Sequence, residues 1–365
     1  GKLYLAPLTT VGNLPFRRMC KGGHFLLTAS EFGADITCSE MCLAMKLDRG
    51  DQAEWALTRR HPSETLFGVQ ICGGYADVVA RAAEMINTSC VTTVDFIDLN
   101  CGCPIDMICQ RDMGSALMQS RLTPRLERIL RCLSSASICP VTMKMRMGWS
   151  EVDLNAESLL NMAARSGISA ATIHGRTKRQ SYRRKADWSY LNRCALSAPT
   201  LPPDDEKHDV GLSRPPLQIV GNGDIYTYHD VSQRMWLISH QYEEHMQSAP
   251  FATCMIARLS RDVALIKPWI FKEIKEHRNI DISSAERFQM LKTYVNYGLE
   301  HWGSDSLGVN LVRRFLLEWL SFLYRYVPVG LLDIERPQMG LRAPAFRGRD
   351  ELETLMASHD AHDWV

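Results

Sequence analysis

The sequence predicts an α/β fold, a (β/α)8 barrel followed by a small C-terminal helical domain. Up to Arg258, eight short strand-like runs alternate with helical patterns, and eight such units close a parallel barrel. No G-x-G-x-x-G fingerprint follows the first run, which weighs against a doubly wound open sheet. Beyond Arg258 the strand-like runs cease, and two long stretches carry apolar residues at helical spacing.

In chain order the strand candidates begin with "LYLAPL" (3–8), "ITCSEM" (36–41), "LFGVQI" (66–71) and "FIDLN" (96–100). "VTMKMR" (141–146), "AATIHG" (170–175), "LQIVGNG" (217–223) and "ATCMIAR" (252–258) complete the eight. Between them, "YADVVARAAEMI" and "TPRLERILRCLSS" have helical patterning, and "DLNAESLLNMAARSG" ends on Gly167, a C-cap residue. "ERFQMLKTYVNYGLEHW" and "VNLVRRFLLEWLSFLYRYV" follow with no strand between them. We therefore expect a barrel over 1–263, a helical domain over 264–335, and a tail over 336–365 that is Pro/Arg-rich and then helical. "SAPTLPPDDEKHDVGLSRPP" and "HQYEEHMQSAPF" lack the periodicity of packed elements and read as loop insertions.

Composition narrows the function classes. Of 365 residues, 45% are apolar and 23% charged, ordinary globular usage with enough apolar surface for a large core. No apolar run approaches the roughly 18 to 20 residues of a membrane span, so no membrane partner is expected. A formal charge of +1 gives no global attraction to nucleic acid, and RNA binding would need a local patch. The twelve cysteines are scattered and mostly in apolar contexts, which points to reduced thiols inside the cell, in cytoplasm or nucleus. Gly1-Lys2 runs straight into a strand-like segment, so the chain is expected to begin inside a longer protein. Nothing signals an obligate protein partner, and a monomer is expected.

Barrel active sites sit at the C-terminal ends of the strands. There the sequence places Thr9, Gln70, Asn100, Cys103, Lys144, Arg146, His174, Arg176, Asn222, Gly223, Asp224 and Arg258. One such residue is often only structural; a whole rim of them would be costly to bury without partners. "GNGDI" and "MIAR" fall where many barrels bind phosphate through glycine backbone and a cation, although Gly-Asn-Gly also suits a plain turn. Lys144 near the barrel axis suits a group that becomes anionic during reaction. Phosphate at strands seven and eight, with a cation across the mouth, fits flavin mononucleotide (FMN), with Gln70 at the polar edge of the ring.

Cys101 and Cys103 in "FIDLNCGCPID" could in principle hold a metal, form a disulfide, or act as nucleophile or acid. Zinc lacks further ligands at a matching spacing, and the one His-x4-His, His240 and His245, lies in an insertion. A disulfide across one glycine would be strained. A free thiol, pKa near 8.5, keeps its proton at neutral pH and can donate it beside a hydride acceptor. Cys103, already past the strand end and followed by Pro104, is favoured over Cys101, which is expected to pack.

"APLTT", "GVQICG", "DLNCGCPID", "MKMR", "TIHGRT", "GNGD" and "MIAR" together resemble the tRNA-dihydrouridine synthases. "NLPFRR", "ADWSYL", "YGLEHWGSD" and "RRFLLEWLSFLYRYVPVGLL" resemble the eukaryotic subgroup acting on a uridine of the tRNA variable loop, position 47. The resemblance implies an FMN barrel, a helical tRNA-binding domain, and NADPH (or NADH) as electron donor. It implies flavin contacts at Pro7, Leu8, Thr9, Gln70, Lys144, His174, Asn222, Gly223, Asp224, Ala257 and Arg258. Cys103 matches the proton donor, and Asn100 and Arg176 match positions holding the uracil, with Arg146 beside them. The run "RTKRQSYRRK", with Lys178, Arg179, Arg183 and Arg184 after Arg176, would then meet RNA phosphates. Leu259 to Val263 departs from the family pattern where its phosphate loop is expected. The rival expectations are a flavin reductase of a free pyrimidine and a tRNA-binding protein without flavin.

Overall fold

The computed structural model of the chain describes residues 2–9, 11–22, 32–89, 94–180, 182, 184–197, 217–233, 263–331 and 344–365. Its strands are β1 (Thr37–Cys38), β2 (Cys42–Leu43), β3 (Phe67–Cys72), β4 (Phe96–Cys101), β5 (Val141–Arg146), β6 (Gly148–Ser150), β7 (Asp153–Leu154), β8 (Ala170–His174) and β9 (Gln218–Asn222). The main sheet runs β1-β3-β4-β5-β8-β9 with every pair parallel, and β2 also pairs with β3. β6 and β7 form a separate antiparallel hairpin. The expected run 252–258 and both expected insertions, apart from Ser197, lie outside the described residues.

Two expected strands are shorter than the sequence suggests. "LYLAPL" contributes a single parallel bridge, Tyr4 to Ile36, at the edge beyond β1. Pro7 has no N–H to donate to a ladder, and the chain turns toward the helix Leu14–Lys21. "ITCSEM" pairs with β3 only at Thr37 and Cys38 before the chain bends and returns to β3 as β2.

Alternation along each strand builds two cores. Phe67, Val69 and Ile71 of β3, Ile97 and Leu99 of β4, and Met143 and Met145 of β5 face outward and pack against the helices Ala76–Thr88, Thr123–Ala136 and Ala156–Arg165. The opposite faces point inward. At the floor of the interior, Tyr4, Ile36, Cys38, Phe96 and Val220 form one cluster, so the first and last described strands meet across it. The sheet is therefore curled as a barrel.

The helices Ser284–Trp302 and Ser306–Leu323 start on strong caps. Ser283 and Glu286 form a capping box, and Asp305 accepts from the Gly308 N–H at 2.8 Å. They pack against each other at Gly298, where an added Cβ would lie 2.9 Å from Val312. Trp319, fully buried, packs on Phe16 and Tyr294 and donates from Nε1 to the Leu265 carbonyl at 2.9 Å. One apolar cluster thus runs from Leu3 and Leu5 of the barrel to Trp319 and Leu323 of the helical segment. Farther on, Glu353 of the helix Glu351–Met356 is buried against Arg287 and Arg349. Among the described residues no helix is long and apolar enough to cross a membrane.

Candidate active site

Because β3, β4, β5, β8 and β9 are parallel, their inward residues stack in register toward one rim. Pairing sets Gln70 beside Asp98, Asn100 beside Lys144, Arg146 beside His174, and His174 beside Asn222. A cavity opens above this layer, walled by Ala6, Pro7 and Thr9, by Gln70, Asn100 and Lys144, and by Arg146, His174 and Asn222. Met41, Gly102, Cys103, Pro104 and Tyr182 complete the wall. No carboxylate is among these lining residues, whereas Lys144 and Arg146 are cationic. A cavity with that donor set favours an anionic occupant.

Cys103 is 9% exposed and lies against Cys72 and Ile108. Its turn is pinned from two sides. The Asn100 side chain accepts from the N–H groups of Gly102 and Cys103 at 3.1 and 2.8 Å. Ser115 donates its N–H and its hydroxyl to the Cys103 carbonyl at 3.0 and 2.9 Å. Gly114, at φ +59°, comes close enough that a Cβ there would meet that same carbonyl at 2.8 Å. Cys101 has the opposite environment: fully buried on the outer face of β4 among the helices, with burial pushing its thiol well above the usual range.

Asn100 is itself held. It donates to Gln70 Oε1 at 2.8 Å, and Gln70 donates to Asp98 Oδ2 at 2.7 Å. Thr142 donates to Asp98 Oδ1 at 2.6 Å. Burial raises the Asp98 carboxyl, against the lowering effect of those two bonds and the nearby Lys144 charge.

Behind the opposite wall Arg176 is 2% exposed and fully engaged. One terminal nitrogen donates to both oxygens of Asp224 at 2.7 and 2.8 Å, and Nε donates to the Arg184 carbonyl at 2.7 Å. The other terminal nitrogen meets His174 Nε2 at 3.1 Å, which makes Nε2 an acceptor and leaves the imidazole proton on Nδ1. Asp224 also accepts from the Ala186 N–H at 2.6 Å. It adopts a left-handed φ of +50° directly after Gly223 at +126°. A side chain at Gly223 would approach Ala186 Cβ to 2.7 Å, so this turn needs glycine.

Of the positions expected to touch a flavin, Pro7, Thr9, Gln70, Lys144, His174 and Asn222 line the cavity. Leu8 does not; it is buried in the cluster toward the helices, because its neighbours on that face are Leu5 and Phe16. Gly223 and Asp224 shape the turn behind His174 rather than the wall. Ala257, Arg258 and Arg183 lie outside the described residues. Asn100 and Arg146 line the same cavity as Cys103, but Arg176 does not, its guanidinium being turned toward Asp224. Arg146 donates to the carbonyls of Gly102 and Thr177, tying the Cys103 turn to the loop after β8. Lys178 pairs with Asp106 at 2.9 Å and lies over Trp149, while Arg179 and Arg184 are exposed.

Sequence reasoning passed over Tyr182 and Asp98. Tyr182 sits in the middle of a basic run and looks like a spacer, yet it lines the cavity, bonds Arg146 and lies tilted beside His174 with ring centroids 6.1 Å apart. Asp98 is an apparent interruption of an apolar strand, and a charged residue at an inward strand position was the available signal.

Fold and site together define a parallel α/β barrel with a cationic cavity, lined by a cysteine, at its C-terminal rim. The chain belongs to the dihydrouridine synthase family, whose model, described as "Dihydrouridine synthase (Dus)", matches residues 4–199. Among curated proteins it is 48% identical over 365 residues to the "tRNA-dihydrouridine(47) synthase [NAD(P)(+)]-like" protein of Arabidopsis thaliana, covering all of this chain and 47% of that protein. It is 44% identical over 365 residues to the protein so named in Rattus norvegicus, covering all of this chain and 50% of that one. It is 45% identical over 367 residues to "tRNA-dihydrouridine(47) synthase [NAD(P)(+)]" of Coprinopsis cinerea, again over the whole chain and 49% of the relative. The chain thus spans about half the length of the curated relatives it matches.

Proposed function

We propose that this chain carries the catalytic barrel of a tRNA-dihydrouridine synthase that reduces the C5–C6 bond of a variable-loop uridine, position 47, with NADPH or NADH as electron donor. The observation that carries this reading is the shared cavity: Cys103 faces the same space as Gln70, Lys144 and His174. The cationic wall, with no carboxylate among its described lining residues, suits FMN, and bound there it would relay the electron pair from nicotinamide to uracil C6. Pro7, Thr9, Gln70, Lys144, His174 and Asn222 would hold it, with Ala257 and Arg258 at the phosphate end.

The remaining steps fall to the protein. Asn100 and Arg146 orient the uracil between the cofactor and the thiol. Reduction at C6 leaves negative charge toward C5 and O4, and the Cys103 thiol supplies the proton at C5. Lys144 holds anionic charge that develops in the cavity. The target base must leave its stack to reach this depth, and the basic segment with Lys178, Arg179, Arg183 and Arg184 steers the RNA backbone across the rim. The helical segment, described over 264–331, extends the RNA surface, and the described residues 344–365 brace it through Glu353.

Two measurements test the reading. The purified protein, incubated with FMN, is expected to show a flavin absorption band. A Cys103→Ala variant is expected to keep that band and to lose at least about 100-fold in turnover on unmodified tRNA, the usual minimum for a positioned acid. Full turnover in Cys103→Ala removes the assigned role; colourless protein removes the flavin reading altogether.

A further inference from the structure

We propose that Asp98 is a positioning residue for the thiol: through Gln70 and Asn100 it dictates which way two buried amides face, and so holds the backbone of the Cys103 turn. This rests on the reading of Cys103 as proton donor.

Asp98 is 1% exposed and lies beneath the cavity wall, so it acts only through neighbours. A chain of hydrogen bonds runs from it to the thiol turn. Thr142 Oγ1 and Gln70 Nε2 reach its two oxygens at 2.6 and 2.7 Å. Gln70 Oε1 then meets Asn100 Nδ2 at 2.8 Å, and Asn100 Oδ1 meets the N–H groups of Gly102 and Cys103. A side-chain amide has a donor end and an acceptor end, and reversing it reverses both of its hydrogen bonds. A carboxylate can only accept, so Gln70 must turn its NH2 toward Asp98. Backbone N–H groups can only donate, so Asn100 must turn its oxygen toward Cys103. Both ends therefore demand the same polarity, and the middle link satisfies it. Flipping the two amides together would set oxygen against carboxylate at one end and NH2 against N–H at the other.

Removing the carboxylate takes away one of these two constraints. Gln70 could then rotate, present NH2 to Asn100, and pull the Asn100 oxygen off the Cys103 turn. Charge itself is not what the chain needs. An asparagine at 98 can offer its oxygen to Gln70 and its NH2 to the Thr142 hydroxyl, which can accept as well as donate. That separates a positioning role from a requirement for negative charge.

The test compares Asp98→Val with Asp98→Asn in the purified, flavin-loaded protein. Carboxamidomethylation of Cys103 by iodoacetamide is followed by peptide mass spectrometry, with half-buried Cys132 as the internal reference. We expect Asp98→Val to speed alkylation of Cys103 at least fivefold relative to Cys132 and to lower kcat on unmodified tRNA at least tenfold. Asp98→Asn stays within threefold of the unaltered protein on both. Either readout unmoved in Asp98→Val, or asparagine performing no better than valine, overturns the proposal. If Asp98→Val gives no cooperative melt, Gln70→Leu breaks the same chain one link nearer the turn, and unchanged Cys103 alkylation there overturns it equally. Failure of the proton-donor reading shows separately, as full turnover in Cys103→Ala, whereas the alkylation readout does not depend on turnover.

Discussion

Arg176→Met probes the clamp that shapes the cavity wall behind His174. Methionine keeps most of the apolar stem and deletes the polar grip of the guanidinium. That grip is two bonds to Asp224 at 2.7 and 2.8 Å, one to the Arg184 carbonyl at 2.7 Å and one to His174 at 3.1 Å. Breaking a buried ion pair by removing one partner costs about 3–5 kcal/mol. The Asp224 side chain is 16% exposed and keeps the Ala186 N–H, which places the cost near the lower bound, about 3 kcal/mol. Freed from Arg176, Asp224 can leave its left-handed φ of +50°, and that relaxation returns roughly 1 kcal/mol. The net loss is therefore about 2 kcal/mol. Urea unfolding followed by tryptophan fluorescence should show it as a midpoint lower by roughly 0.7 M, for a slope of about 3 kcal/mol per molar. A midpoint within about 0.2 M of the unaltered protein would refute the clamp, since such a shift corresponds to well under 1 kcal/mol. On the proposed function the variant also binds FMN more weakly, because His174 loses its bond from Arg176.

Trp319→Ala, which empties the junction between barrel and helical segment and frees the Leu265 carbonyl, should cost about 3–5 kcal/mol and lower the melting temperature. Glu64 gives a pH signature: burial pushes its carboxyl up, but the Arg17 charge and bond, the His61 N–H and the Thr37 hydroxyl outweigh this and leave it lowered. A folded pKa below the unfolded one means the contribution is complete above about pH 4.3 and is lost as pH falls from there through the folded pKa. Melting temperature should accordingly drop below about pH 4.3 more steeply in the unaltered protein than in Glu64→Gln, and equal slopes would count against the pair. Replacing Lys178, Arg179 and Arg184 together by alanine should weaken tRNA binding and flatten its logarithmic salt dependence by up to about 3, one for each phosphate no longer neutralised. An unchanged salt slope would take the RNA off this segment.

Much of the site was legible because a parallel strand has a period of two and a barrel has one functional rim. Those two rules place Gln70, Asn100, Lys144 and His174 on one inward layer before any coordinate is known. The same rules put Cys101 on the outer face of β4, whereas Cys103, beyond the strand end, turns to the cavity. Arg176 shows where such reasoning stops. The period places it at the rim, but its partner is Asp224, 48 positions later, and that pairing turns the guanidinium away from the cavity. Tyr182 was hidden for a related reason: within a basic loop its position depends on Arg146 and His174, which belong to other strands.

Taken alone, the amino-acid order determined the alternating architecture, the rim on which polar residues collect, the helical segment after the barrel, and the thiol beyond β4. These depend on local periodicity, turn chemistry and chain connectivity, all written in neighbouring residues. Only the tertiary structure decided which polar side chains face the cavity and which are consumed in holding it open. Hydrogen-bond partners such as Asp98 with Gln70, or Arg176 with Asp224, belong to separate segments of the chain. Their donors and acceptors are matched by the parallel pairing of neighbouring strands, a condition that no stretch of sequence can satisfy by itself.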